Sequence, residues 1–304
     1  MARIRAGGLM VEYQESGAPE QPVILLVAGL GSQLTSWRPE FCELLVAAGY
    51  RVIRFDNRDS GLTTALLPRA TAYRIADLAD DAVALLDALE VPAAHLAGIS
   101  MGGMIVQQLA IDHPERVLSL CSLLARPGDG VSGESRPDVA AALVARPAAT
   151  RAQVIENGVH FHRLVGSPDH PVDLDELLAR LGESYDRAYR PDGSLRQLFA
   201  VRNSPDRTEG LRRVAVPTLV VHGEADVLVD PSGGRATAAA VPGAELWLVP
   251  GVGHEMPRAL WPELASRIAA NAGLAERSCT QPPRTERPCG EKFPLVDGFT
   301  RTDG

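Results

Sequence analysis

The stretch HLAGISMGGM, residues 95–104, sets three glycines around Ser100 where a strand hands over to a helix. Glycine gives up more backbone freedom on folding than any other residue, so it is costly inside either element. The residues before it, PAAHLAGIS (92–100), read as a short strand, and those after it, MGGMIVQQLAIDHPE (101–115), as a helix. Gly98-Ile99-Ser100-Met101-Gly102 fits G-x-S-x-G, in which a serine sits at the tip of a sharp, strained strand-to-helix turn. Residues two before and two after the serine crowd such a turn. Gly98 and Gly102 remove side chains that would clash there, and Gly103 eases the approach of helix to strand. The hydroxyl is thereby held clear of the backbone, over a helix N-terminus that favours developing negative charge.

Outward from this turn, apolar strands alternate with amphipathic helices. PVILLVAGL (22–30) is a β-branched run ending at glycine, and RVIRFDNRDSG (51–61) is a strand entering a polar turn. WRPEFCELLVAAGY (37–50) reads as a helix, and RIADLADDAVALLDALE (74–90) puts Ile75, Leu78, Ala82, Leu85, Leu86 and Leu89 on one helical face. VLSLCSLLA (117–125) is a further buried strand. Strands apolar on both faces, alternating with helices, predict a mostly parallel, doubly wound α/β sheet. From 126 to 205 strand-like runs stop and helical segments follow, predicting a helical cap inserted into a core of residues 1–125 and 206–276. The alternation resumes with VPTLVVHGEAD (216–226), ATAAAVPGA (236–244), ELWLVPGVGHEM (245–256) and RALWPELASRIAANAG (258–273). Residues 277–304, rich in Pro, Gly and charge, read as a flexible C-terminal extension. Its Phe293, Leu295 and Phe299 are what an arm packed on the core or a partner would use.

A serine needs a base, and the base needs an orienting acid. His254 lies in VPGVGHEMP, a glycine-rich loop after the last expected strand, from which an imidazole can reach over the sheet edge. His222, ending TLVVH, reads as structural. The turn after that strand offers Glu224, Asp226 and Asp230, and Asp226 is placed best. The chain order Ser100, Asp226, His254 is that of α/β-hydrolases and differs from both protease orders. An oxyanion site needs two preorganised backbone N–H groups. Met101, directly after the serine, supplies one. Leu30 of VAGLGS, between Gly29 and Gly31, supplies the other.

These segments together resemble the α/β-hydrolase fold family from about residue 8 to 275. PVILLVAGLGSQLTSW, VIRFDNRDSG, HLAGISMGGM, PTLVVHGEAD and VPGVGHEMP each match one of its landmarks. One departure stands out: many members carry His-Gly before the oxyanion residue, and here it is Ala28-Gly29. The VAGLGS…W and RFDNRDSG segments are also similar to esterases of the aclacinomycin methylesterase type. The resemblance implies a serine carboxylic ester hydrolase acting through an acyl-enzyme on a small to medium, largely apolar ester, with no cofactor and no metal. It places Asp56, Arg58 and Gly61 in a structural loop.

Other readings compete. A cofactor-free perhydrolase or haloperoxidase, a lactonase and a C–C bond hydrolase all use the same three residues, and a ligand-binding relative can retain them. Dehalogenases and epoxide hydrolases of this fold need an aspartate at position 100. Dinucleotide binding through GLGSQL needs glycine at 34, where Leu34 stands.

Bulk properties agree. The chain of 304 residues is 45% hydrophobic and 22% charged, with a formal charge of −8, so neither nucleic acid nor an anionic membrane is an expected partner. MARIRAGGLMVEYQESG has no apolar signal core or cleavage site, and no apolar run approaches a membrane span, so a cytoplasmic monomer or homodimer is expected. Cys42 and Cys121 read as buried thiols. Cys279 and Cys289 could close a small loop, which a reducing compartment disfavours.

Overall fold

The structure is a computed structural model that describes residues 1–66, 72–144 and 148–280, with backbone only for 278–280. It is an eight-stranded sheet in the order β1-β2-β4-β3-β5-β6-β7-β8. The strands are β1 (Ala2–Ala6), β2 (Leu9–Ser16), β3 (Val23–Val27), β4 (Arg51–Phe55), β5 (Ala94–Ile99), β6 (Val117–Leu123), β7 (Thr218–Gly223) and β8 (Glu245–Val249). β4 through β8 and β3 run parallel, while β2 pairs antiparallel with both β1 and β4. The mostly parallel sheet is the one expected from the alternation. The β1–β2 hairpin is an addition to it. Gly7 and Gly8 both have positive φ, +54° and +86°, which is the requirement of a two-residue type I′ turn.

Side-chain alternation along β3 shows why an unbroken apolar strand is needed. Val23, Leu25 and Val27 face one core, and Ile24 and Leu26 the other, all at most 5% exposed. Each such Leu or Ile contributes about 1.5–3 kcal/mol of burial. On the first face pack α2 (Ile75–Ala88), α3 (Met101–Asp112) and α9 (Ser232–Ala240). On the second pack α1 (Pro39–Ala47) and α10 (Trp261–Thr280). α10 runs past residue 277, so 277–280 continue a helix, and the expected extension over 281–304, with Cys289, lies outside the described residues. Cys42 and Cys121 are buried free thiols, and burial pushes the Cys121 thiol up to about 12.

Between β6 and β7 lie α4 (Pro137–Leu143), α5 (Arg151–Val165), α6 (Leu174–Arg187) and α7 (Pro191–Asn203), followed by the single turn α8 (Thr208–Leu211). From β3 the chain passes to β4 on one side and then returns to β5 on the other. That reversal opens a crevice at the carboxyl ends of β3 and β5, where α/β sheets bind their ligands.

Candidate active site

Ser100 follows β5 at that reversal. Its backbone has φ +59° and ψ −121°, a conformation that costs a non-glycine residue about 1–3 kcal/mol and persists only where the surroundings enforce it. They do so here. Ser100 N–H donates to Leu123 O at 2.8 Å, and Ser100 O accepts from Met104 N–H at 3.1 Å. A Cβ on Gly98 would collide with the Gly102 carbonyl, which is the crowding within the turn that the sequence implies. Gly102 is required for a second reason. A Cβ there would strike the Val27 carbonyl and lie 2.8 Å from Ala28 O, so Gly102 lets α3 press against the end of β3. Gly103 similarly meets Ala125, where an added Cβ would sit 2.6 Å from the Ala125 Cβ.

His254 Nε2 lies 2.9 Å from Ser100 Oγ, and His254 Nδ1 lies 2.7 Å from Asp226 Oδ2. The structure thus brings together three residues up to 154 positions apart in the chain. Asp226 is 3% exposed. Its Oδ1 accepts from the Leu228 and Val229 N–H groups, both at 2.9 Å, which fixes the carboxylate plane. Burial pushes the Asp226 carboxyl up. The His254 charge, the nearby His222 imidazole, the hydrogen bond from His254 and the Val229 N–H outweigh it and hold the group at about 2. An ionised Asp226 accepts from Nδ1–H, which leaves Nε2 to accept the serine proton.

The other candidates fall elsewhere. Glu224 is exposed and lies 3.8 Å from Arg235, and Asp230 accepts from the Ser232 N–H at the start of α9. His222 is fully buried. Its Nε2–H donates to Val229 O at 2.8 Å, and the same nitrogen stands 3.4 Å from Asp226 Oδ2, so it backs the carboxylate from behind.

Met101 opens α3 directly after Ser100, and Leu30 follows Gly29 in the loop after β3, which lies against the serine. Gly29 allows the approach: a Cβ there would lie 3.3 Å from Ser100 Cβ. Among the described residues, neither the Leu30 nor the Met101 N–H has a protein acceptor. Met101 is the first residue of α3, where the N–H has no intrahelical partner and the helix end is positive.

The polar turn after β4 is a bracket. Asp56, fully buried, accepts from Leu34 N–H at 2.7 Å and Leu62 N–H at 2.8 Å and pairs with Arg187 at 2.8 Å. Asn57 Nδ2 donates to Ala28 O at 3.1 Å. Arg58 pairs with Asp81 of α2. Sequence reading missed a further set of contacts, those from the 126–205 insertion. His254 N–H donates to Val165 O at 2.7 Å, Gly253 N–H to Ser167 Oγ at 3.0 Å, and Asp169 N–H to Gly251 O at 3.2 Å. Backbone acceptors of this kind leave no motif. Gln33 and Gln197, which join the same insertion to the β3 loop, are lone glutamines without a pattern.

Residues 22–257 match the family model described as alpha/beta hydrolase fold. The chain is 32% identical over 281 residues to rhodomycin D methylesterase DauP of Streptomyces sp. (strain C5), covering 85% of this chain and 93% of that protein. A hydrolase from Pseudomonas aeruginosa PA01 superposes with TM-score 0.69 at 26% identity, over 90% of this chain and 97% of that one. The enol-lactonase of Burkholderia xenovorans LB400 shares the fold, with TM-score 0.68 at 21% identity over 92% and 100% of the two chains. Among the described residues, no three His, Cys, Asp or Glu side chains form a metal-binding group, and no helix is long and apolar enough to cross a membrane.

Proposed function

Because the chain belongs to the α/β-hydrolase fold family, we propose that it is a serine carboxylic ester hydrolase with Ser100 as nucleophile, His254 as base and Asp226 as the orienting acid. The observation that carries this reading is the continuous hydrogen-bond relay from Asp226 through His254 to Ser100, at the tip of a strained turn. His254 Nε2 takes the serine proton as Oγ attacks the ester carbonyl. Leu30 and Met101 N–H groups receive the oxyanion, each contributing about 10²–10³ in rate. His254 then returns the proton to the departing alcohol, leaving an acyl-serine. Water, deprotonated by the same imidazole, releases the acid.

In this reading the helices of 126–205 cap Ser100 and shape the acyl and alcohol sites for a small-molecule, largely apolar ester. DauP is a rhodomycin D methylesterase. Its 32% identity makes rhodomycin D and other methyl esters the first compounds to assay.

The test is hydrolysis of p-nitrophenyl esters of rising chain length and of such methyl esters, with and without halide and peroxide. Ester turnover independent of peroxide supports the proposal, and halogenation without ester turnover replaces it with a perhydrolase. Ser100→Ala is expected to fold and to lose about 10⁶-fold in kcat, the loss typical of a deleted triad serine. Wild-type hydrolysis by that variant would overturn the assignment.

A further inference from the structure

The loop that carries Leu30 is not held by the sheet alone. Gly29 O accepts from Ser32 N–H at 3.2 Å, and Gly31 has φ +67° while Leu30 does not leave the negative region, which makes Gly29–Ser32 a type II turn. A bond to the Gly31 N–H pins the central Leu30–Gly31 peptide of this turn and, through it, the placement of the turn on which Leu30 sits. The anchor comes from α7. Gln197, fully buried, accepts from Gly31 N–H through Oε1 at 2.7 Å, while its Nε2 donates to Arg58 O at 2.8 Å and Ser60 Oγ at 2.9 Å. With donors fixed on one side, the amide has only its oxygen to offer Gly31. Ser194, one turn earlier on α7, closes the other side of Gly31: an added Cβ would stand 2.8 Å from its Oγ.

A second tie lies two residues on. Gln33, 4% exposed, donates through Nε2 to Ser184 O at 2.7 Å and Ala188 O at 2.9 Å, and its Oε1 accepts from Arg187 at 2.5 Å. Gln33 thus ties the β3 loop to the C-terminal end of α6, adding a second donor to Ser184 O, which already accepts from Ala188 N–H at 3.1 Å, and a donor to Ala188 O just past the helix.

We propose that Gln197 is a positioning residue for the oxyanion loop, so that α7 of the insertion helps to build the site that receives the developing negative charge as well as covering it. The proposal rests on the esterase reading above. A misaimed donor lowers transition-state stabilisation without changing ground-state contacts, so it falls on kcat.

The experiment measures kcat and KM for a p-nitrophenyl ester, and inhibition by a phenylboronic acid, which forms a tetrahedral adduct on the serine. Gln197→Met is expected to lower kcat about 10–100-fold, below the full cost of a deleted donor, with KM within about threefold and boronate affinity weakened in step with kcat. Gln197→Glu, whose fully buried carboxyl is held protonated and so keeps an acceptor for Gly31 N–H and an O–H donor for Arg58 O, is expected to recover most of that loss. Should Gln197→Met not yield folded protein, Gln33→Met frees the same loop from α6 and is read by the same criteria. Unchanged kcat in a folded variant, or a loss that falls on KM and that Gln197→Glu does not recover, would overturn the positioning role while leaving the esterase reading intact. Turnover that survives Ser100→Ala would remove both.

Discussion

At the scale of single residues, two histidines lie close to one carboxylate and only one touches the serine. His254 bridges Asp226 and Ser100, whereas His222 reaches no nearer than 3.4 Å to the Asp226 oxygen and spends its N–H on Val229 O. His254→Ala should therefore abolish ester turnover while His222→Ala costs far less; kcat for the two variants, checked against circular dichroism, gives the ranking. Asp226 also has a signature in stability. Its folded value of about 2 lies below the ordinary 3.8, so it contributes stability that is fully present above pH 4 and is lost as pH falls toward 2. The shift corresponds to about 2 kcal/mol. Denaturant unfolding between pH 4 and pH 2 should show that loss in the wild-type chain and a correspondingly flatter profile in Asp226→Asn. The three side chains that the structure brings together, Ser100, Asp226 and His254, were legible in the sequence because each follows closely on a strand, and the strands were visible as apolar runs.

At the scale of elements, the turn from β5 into α3 works because three backbone segments come closer than any side chain permits. Gly98→Ala sets a methyl group against the Gly102 carbonyl, and Gly102→Ala sets one against Val27 O, with backbone rather than a flexible side chain in the way in each case. Each should cost about 3 kcal/mol or more, the range of severe overpacking combined with backbone displacement, read as a fall in the urea midpoint. The β1–β2 hairpin shows how an element escapes notice. ARIRAGGLMVEYQES holds the signal, alternation around a Gly-Gly pair, but many of its β1 side chains are exposed, so no apolar run advertises it. The sequence reading traced the core from the buried strands and passed over the edge.

At the scale of the molecule, the insertion is joined to both halves of the proposed machinery. α5 and the segment after it hold the His254 loop through Val165 O, Ser167 and Asp169, and α6 and α7 hold the Leu30 loop through Ser184, Ala188 and Gln197. Replacing residues 126–205 by a short linker should therefore abolish turnover on small and large esters alike, instead of broadening the substrate range as the loss of a simple cover would. A p-nitrophenyl acetate assay on the folded deletion variant decides between these outcomes. That dependence was not legible in the sequence, because the helices could be recognised from their periodicity while their partners are backbone carbonyls and two glutamines.

The same grip bears on recombination between relatives. A crossover placed at residues 126 and 205 looks natural, since it exchanges one helical block for another and leaves every reacting side chain on the parent. Yet it separates Gly31 from Gln197, Gln33 from Ser184, and His254 from Val165. Under the proposed function, a chimera that imports a foreign block inherits a new substrate chamber together with a loosened reaction centre. Substrate-range swaps in this chain should succeed only when the donor block brings matching acceptors for those three groups, or when the β3 loop and the His254 loop travel with it.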